Sequence, residues 1–200
     1  MNPEAVKQAK ASLKRCADAC QKLNQATTFE ETEAAWTDFL VWSARIYNKL
    51  GKGSRGNNAS ENWYGLIKKE RKDDPVLRYI HHARNTDEHG IERILSNDEL
   101  REVYIYRENG EIIQEFSTIG GAKIDDLKMI IDGVPVPVPL ERVEKVAKLV
   151  TVTDDVFGDS FDPPHEHFGR TIFPEPKYVA LAALDYMKYM VISADYLSNP

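Results

Sequence analysis

Three of the five histidines in this 200-residue chain, His81, His82 and His89, fall in a nine-residue stretch that also holds Arg84 and Asn85, with Arg78 three residues before it. An imidazole, with a reference pKa of about 6.5, can take or give a proton near neutrality. A guanidinium stays charged and offers a fork of donors that fits phosphate oxygens. Asn85 adds an amide able to orient either group. These are the parts for cleaving RNA by attack of its own 2′-hydroxyl on the adjacent phosphorus, a reaction that needs no metal.

Positioning them falls to a helix. Asp74-Pro75 is an N-cap followed by proline at the first helical position, and the spacing behind it predicts a helix over 75–96. At 100° per residue, Val76, Ile80, Ala83, Ile91 and Ile94 share one side. Arg78, His82, Asn85 and His89 form an opposite ridge about 60° wide, with His81 and Glu92 adjoining. Asp87 lands in the middle of the apolar side, so it is expected to be buried and hydrogen-bonded from another element. Arg84, at the edge of that side, lies roughly 140° from His89 on an ideal helix. The two meet either if the helix loosens near Gly90 or if a symmetry partner completes each across a dimer interface.

The rest of the first half reads as helices that could carry this one. Asn2-Pro3 opens a stripe of Val6, Ala9, Leu13, Cys16, Cys20 and Leu23. Thr28 and Glu31 fit a capping box before Trp36, Phe39, Leu40, Ser43, Ile46, Tyr47 and Leu50, a second helix ending at Gly51. Ser60 is placed to cap a third, with Trp63, Ile67 and Leu66 turned inward. The period then changes. EVYIYRE and EIIQEF flank Asn109-Gly110, a strong hairpin signal, and prolines 135, 137 and 139 suit an edge or a docked loop. VEKVAK has helical spacing, LVTVTD reads as a strand, and 158–176 reads as an irregular loop. The closing stripe of Val179, Ala182, Ala183, Tyr186, Met190, Ser193 and Leu197 marks a helix expected to pack back on the first ones. The expected fold class is therefore α+β and predominantly α. Residues 1–99 form the helical core, 100–174 a β-rich insertion with an acidic loop, and 175–200 the returning helix, all in one cooperative body.

The segment RNTDEH, Arg84 to His89, resembles the Arg-x(4–6)-His signature of the HEPN superfamily of small helical proteins, including the polar residue after the arginine, here Asn85. The resemblance covers the helical parts, 1–99 and 175–198, while the β-rich segment 101–173 departs from the family pattern. It implies a bundle of four or five helices with the motif in a late helix. It also implies a metal-independent endoribonuclease of toxin–antitoxin or other defence systems, dimeric, with two motifs forming one cleft. Arg84 and His89 would be the catalytic pair with Asn85 beside them, and Arg78, His81, His82 and Asp87 in support. An antitoxin or regulatory protein would be the natural protein partner.

Net charge is −6 overall, but residues 1–99 carry +1 and 100–200 carry −7. That balance argues against a binder relying on many phosphate contacts, and leaves a local basic cleft in the first half. Lys52, Arg55, Lys68, Lys69, Arg71 and Lys72 are where RNA backbone contacts are expected. The same basic run at a helix C-terminus is also favoured by the dipole alone. In the acidic half, His165 and His167 with Asp162 offer a weak metal alternative, but the turn around Pro163-Pro164 favours a solvated acidic loop covering the His82–His89 ridge or binding a basic partner. No metal and no cofactor are expected. GKGSRG lacks the order of a phosphate-binding loop, and no nucleophile elbow occurs. Two cysteines four apart imply no disulfide framework, and no apolar run reaches the roughly 20 residues of a membrane span, so a cytoplasmic location is expected. The alternative to a ribonuclease is a catalytically silent helical interaction protein, binding its partner through the acidic second half.

Overall fold

A computed structural model of the chain describes residues 1–89, 94–106, 112–119, 128–131, 134–137, 140–154 and 158–198, with side-chain surroundings for 1–87, 94–97, 147–154 and 158–198. The chain forms two compact units, Met1–Ser96 with Lys148–Pro200, and Asn97–Ala147. The fold is predominantly helical with small antiparallel sheets.

In the first unit, α1 (Pro3–Gln25) begins where Asn2 Oδ1 accepts the Glu4 and Ala5 N–H groups. This leaves fewer orphan donors at the helix start. Its buried stripe is Val6, Ala9, Cys16, Cys20 and Leu23, joined by Ser12 and Ala19, while Leu13 is only half-buried. α2 (Phe29–Gly53) carries the expected capping box between Thr28 and Glu31. Trp36, Phe39, Leu40, Ile46 and Leu50 are fully buried, each worth roughly 1.5–3 kcal/mol of apolar transfer. The helix runs two residues past the expected stop at Gly51, which instead lets another helix approach. A Cβ there would lie 2.7 Å from the Tyr64 ring.

That ring belongs to α3 (Asn58–Asp73), whose Tyr64 hydroxyl donates to the Tyr47 carbonyl. Its cap is Asn57, not Ser60. The Asn57 side chain accepts the Ser60 N–H, and Ser60 is buried in the first turn. Leu66, expected inward, is 62% exposed, while Ile67 is buried and Trp63 half-buried. The next helix, α4 (Pro75–His89), starts as expected, with Asp74 Oδ1 accepting the Leu77 N–H at 2.9 Å. It ends earlier than the expected Ser96, since Leu95 already opens a strand. α5 (Pro176–Ser198) returns against α1 and α2 through Val179, Ala180, Ala183, Met187 and Met190. Ala182, Ser193 and Leu197 of the expected stripe are half-buried.

The second unit contains most of a three-stranded sheet ordered β2-β1-β5, from β1 (Leu95–Tyr106), β2 (Ile112–Ile119) and β5 (Leu140–Leu149). β1 and β2 pair antiparallel from Leu100↔Ile119 to Tyr106↔Ile112, as the hairpin signal requires. Asn109 and Gly110 themselves lie outside the described residues. β3 (Lys128–Ile131) and β4 (Val134–Pro137) form a ribbon that is all edge, where Pro135 and Pro137 cost no interior ladder bond. VEKVAK is strand within β5, not helix. Pairing with β1 overrides its three-residue apolar spacing.

Expected to run with the insertion, residues 148–174 cluster instead with the helices. They hold two short antiparallel pairs, β6 (Val152–Thr153) with β7 (Ser160–Phe161), and β8 (Glu166–His167) with β9 (Arg170–Thr171). Phe168 and Gly169, with φ of 45° and 75°, make the two-residue turn between β8 and β9. Such turns match the twist of the strands they join. Among the described residues, no helix is long and apolar enough to cross a membrane.

Candidate functional site

α4 is covered on two sides, which divides the residues of the expected ridge. On one side Tyr79 donates to the Val150 carbonyl at 2.7 Å and Thr86 to the Thr153 carbonyl at 3.2 Å. Both are buried, so the segment through β6 packs directly on the helix. His82 joins this side. Its ring stacks on Phe161 with centroids 3.8 Å apart and planes 11° from parallel. Asp154 Oδ2 approaches its Nδ1 to 3.1 Å, close enough for charge attraction but out of line for a well-directed hydrogen bond. Arg78 lies over the Phe161 ring, 5.5 Å from its centroid. Burial lowers the His82 pKa, and Asp154 opposes that shift.

On the other side, a cavity of about 70 Å³ opens between α2 and α4. Arg84, Asn85 and His81 line it from α4, Arg71 from the end of α3, and Tyr47 and Asn48 from α2. Arg84 Nη1 donates to Asn85 Oδ1 at 3.2 Å, a contact inside the RNTDEH motif. The Arg71 guanidinium sits 5.1 Å from the Tyr47 ring centroid. Among the described residues, no carboxylate lines the cavity. His81 is pushed down to about 4, first by burial and then by the charges of Arg71, His82 and Arg84, with Asp154 pulling weakly the other way. It is a neutral imidazole at pH 7.

Of the expected ridge of Arg78, His82, Asn85 and His89, the three described side chains therefore do not face one direction. His82 is held by Phe161 and Asp154 of its own chain, and Arg78 lies over the Phe161 ring while remaining exposed. Asn85 turns to the cavity with His81 and Arg84. The side chain of His89 lies outside the described residues. Asp87 is half-buried, not at the centre of a buried face, and is not without a partner. The buried polar position is Thr86, one residue earlier.

Of the expected RNA-backbone residues, Lys52 and Arg55 are exposed where α2 gives way to α3, and Lys68, Lys69 and Lys72 are exposed on α3. Only Arg71 is brought to the motif. The weak metal grouping does not assemble. His165 is exposed, Asp162 accepts from the Thr151 hydroxyl at 2.7 Å, and His167 turns to Asp74. Among the described residues no three potential ligands converge.

That last contact was not visible beforehand. Asp74 caps α4, but its two oxygens also take His167 Nδ1 at 2.9 Å and the Phe168 N–H at 2.7 Å. Burial raises its pKa, yet these bonds from His167, Leu77 and Phe168 win and hold it below the usual carboxylate value. Tyr47 and Asn48 were also missed as site residues. Tyr47 had been legible only as one position of the α2 apolar stripe, and its hydroxyl gave no sequence signal. No family model, curated protein or solved structure matches the chain.

Proposed function

We propose that this protein is a HEPN-like, metal-independent endoribonuclease that cleaves RNA through attack of the 2′-hydroxyl. The observation that supports this reading is the convergence of Arg84, Asn85 and Arg71 on one cavity. Two guanidiniums there favour a phosphate and the extra charge it gains in the transition state. His89, at the end of α4, supplies the proton transfer, and Asn85 holds the Arg84 fork. Exposed Lys68, Lys69 and Lys72 line the approach along α3. The active form is a homodimer that joins two motifs at the C-terminal end of α4, because His82 is held by Phe161 and Asp154 of its own chain. A defence role with an antitoxin partner goes with this reading.

The test is incubation of the purified protein with mixed RNA in EDTA, beside H89A and R84A. Cleavage by wild type with an optimum between roughly pH 6 and 8, lost in H89A with helix content intact, supports the assignment. Undiminished cleavage by H89A, or no cleavage by wild type across pH and salt, overturns it.

A second reading is favoured by one feature. Leu181, Tyr189, Ile192 and Tyr196 of α5 are exposed at intervals that place them on one outer face. A catalytically silent protein that binds a partner would use such a face together with its acidic second half. Retained partner binding in H89A and R84A, with no cleavage by wild type, would favour it.

A further inference from the structure

We infer that the outer seam between α1 and α2 binds the phosphodiester backbone of single-stranded RNA through Arg15 and Arg45, both seated on Trp42. This deepens the ribonuclease reading and rests on it for RNA as the polyanion. The Arg15 guanidinium carbon lies 4.8 Å from the Trp42 ring centroid, and that of Arg45 lies 4.3 Å from it. One arginine comes from each helix, so a half-buried indole gathers two exposed cations at one place. Among the described residues, neither guanidinium forms an ion pair. Asp38, about one turn before Trp42 on α2, is taken by Lys22 at 3.8 Å.

Stacking leaves the useful part of each arginine free. A guanidinium over an aromatic ring spends its flat face there, while its N–H donors lie in its own plane and still fit phosphate oxygens. The ring also holds two long side chains in place beforehand. Less rotamer entropy is then lost when they grip an anion.

Their position ties this pair to the cavity. Ala44 and Asn48 line the cavity between α2 and α4, and Arg45 lies between them in the chain. Asn48, Arg45 and Trp42 are spaced three apart, so each step turns about 60° around α2 and moves about 4.5 Å along it. That diagonal leads from the cavity over α2 to Arg15 on α1. Exposed Lys52, seven residues past Arg45, lies within about 20° of it in direction and extends the positive stripe. Cations spread along a path that starts at the cavity suit a chain of singly charged diesters better than one compact dianion. An RNA strand leaving the cavity would meet them in turn.

The test measures binding of the full-length protein to a short fluorescein-labelled 2′-O-methyl oligouridine by anisotropy across a salt series. That probe keeps the phosphodiesters but cannot be cleaved by attack of a 2′-hydroxyl. R15Q/R45Q is expected to weaken binding at least about tenfold, as for the loss of charge-assisted bonds. It should also make the slope of log affinity against log salt shallower by about 1.4, the share of two phosphate contacts to a single strand. R15K/R45K keeps the charge and loses the fork, so it should keep the slope and lose affinity. K7Q/K14Q removes two exposed lysines of α1 that do not sit on the indole, and should leave both quantities unchanged. Helix content, read by circular dichroism, should be equal in all four proteins. No binding by wild type at low salt, unchanged affinity and slope in R15Q/R45Q, or an equal loss in K7Q/K14Q overturns the proposal. So does equal affinity for polyglutamate of matched charge, which would assign the patch to an acidic protein instead. Cleavage does not enter this readout. An inactive protein that binds RNA through this pair breaks the ribonuclease reading and leaves the track standing, and an active one with unaltered binding in R15Q/R45Q does the reverse.

Discussion

His81 and His82 are neighbours in the chain, with ring centroids 5.2 Å apart, yet they live in opposite electrostatic worlds. His81 lines a cavity with Arg71 and Arg84, whose charges lower its pKa. His82 is sandwiched against Phe161 and approached by Asp154. Successive residues on a helix point about 100° apart, so one step along α4 crosses from the cation-rich side to the side held by the chain's own acidic segment. The lesson concerns division of labour. Asp154, Phe161 and the carbonyls of Val150 and Thr153 fasten one flank of α4, while the other flank opens on the cavity.

The largest effect should come from the fastening side. D74A removes an acceptor for two backbone N–H groups and His167 at once, and is expected to cost about 3 kcal/mol in urea unfolding. A loss below about 1 kcal/mol would mean that the β8–β9 hairpin does not depend on this carboxylate.

Acid should expose both flanks in sequence. His81 is lowered in the folded chain relative to its ordinary 6.5, so the unfolded state binds its proton first. Stability is therefore expected to fall as pH drops from about 6.5 toward about 4, and this component should vanish in H81Q. Asp74 adds a second loss at lower pH. Its folded pKa lies below its ordinary 3.8, so its contribution is present above that value and disappears as pH falls through the folded one. A urea midpoint that is flat between pH 6.5 and 4.5 would contradict the buried neutral His81.

Smaller effects separate the contacts along β6 and β7. Y79F deletes only the hydrogen bond to the Val150 carbonyl and should cost about 1 kcal/mol. F161A strips the stack from His82 and the ring contact from Arg78, for a similar or smaller loss of about 0.5–1.5 kcal/mol. Its sharper signature is at His82. With less burial, its pKa should rise in an NMR titration while that of His81 stays put. A parallel rise of both would show that the two flanks are not independent.

Which of these features could be read in advance follows from their range. Asn2, Thr28 and Asp74 act on N–H groups two or three residues away, so their caps were legible from the local order of residues. Arg84 and Asn85 were legible as a motif because they are adjacent. Arg71 was legible only as part of a basic patch, since its place beside Arg84 depends on how α3 meets α4. The bond from His167 to Asp74 spans 93 residues and left no trace in either neighbourhood. VEKVAK misled for the opposite reason. Its local spacing is helical, and a pairing partner some forty residues upstream decided the matter. The split ridge failed because a helical wheel records direction and says nothing of what covers each direction.

Cys16 and Cys20 lead to a separate consequence. Both thiols are free and buried on α1, and burial raises their pKa, so little of either is thiolate in the folded chain. Cys16 touches the Met187 sulfur at 3.8 Å and the Phe39 carbonyl at 3.9 Å, contacts that join α1 to α5 and α2. An alkylating reagent must therefore wait for those three helices to part. The two cysteines serve as an internal clock of core opening, with Cys16 keeping the slower time.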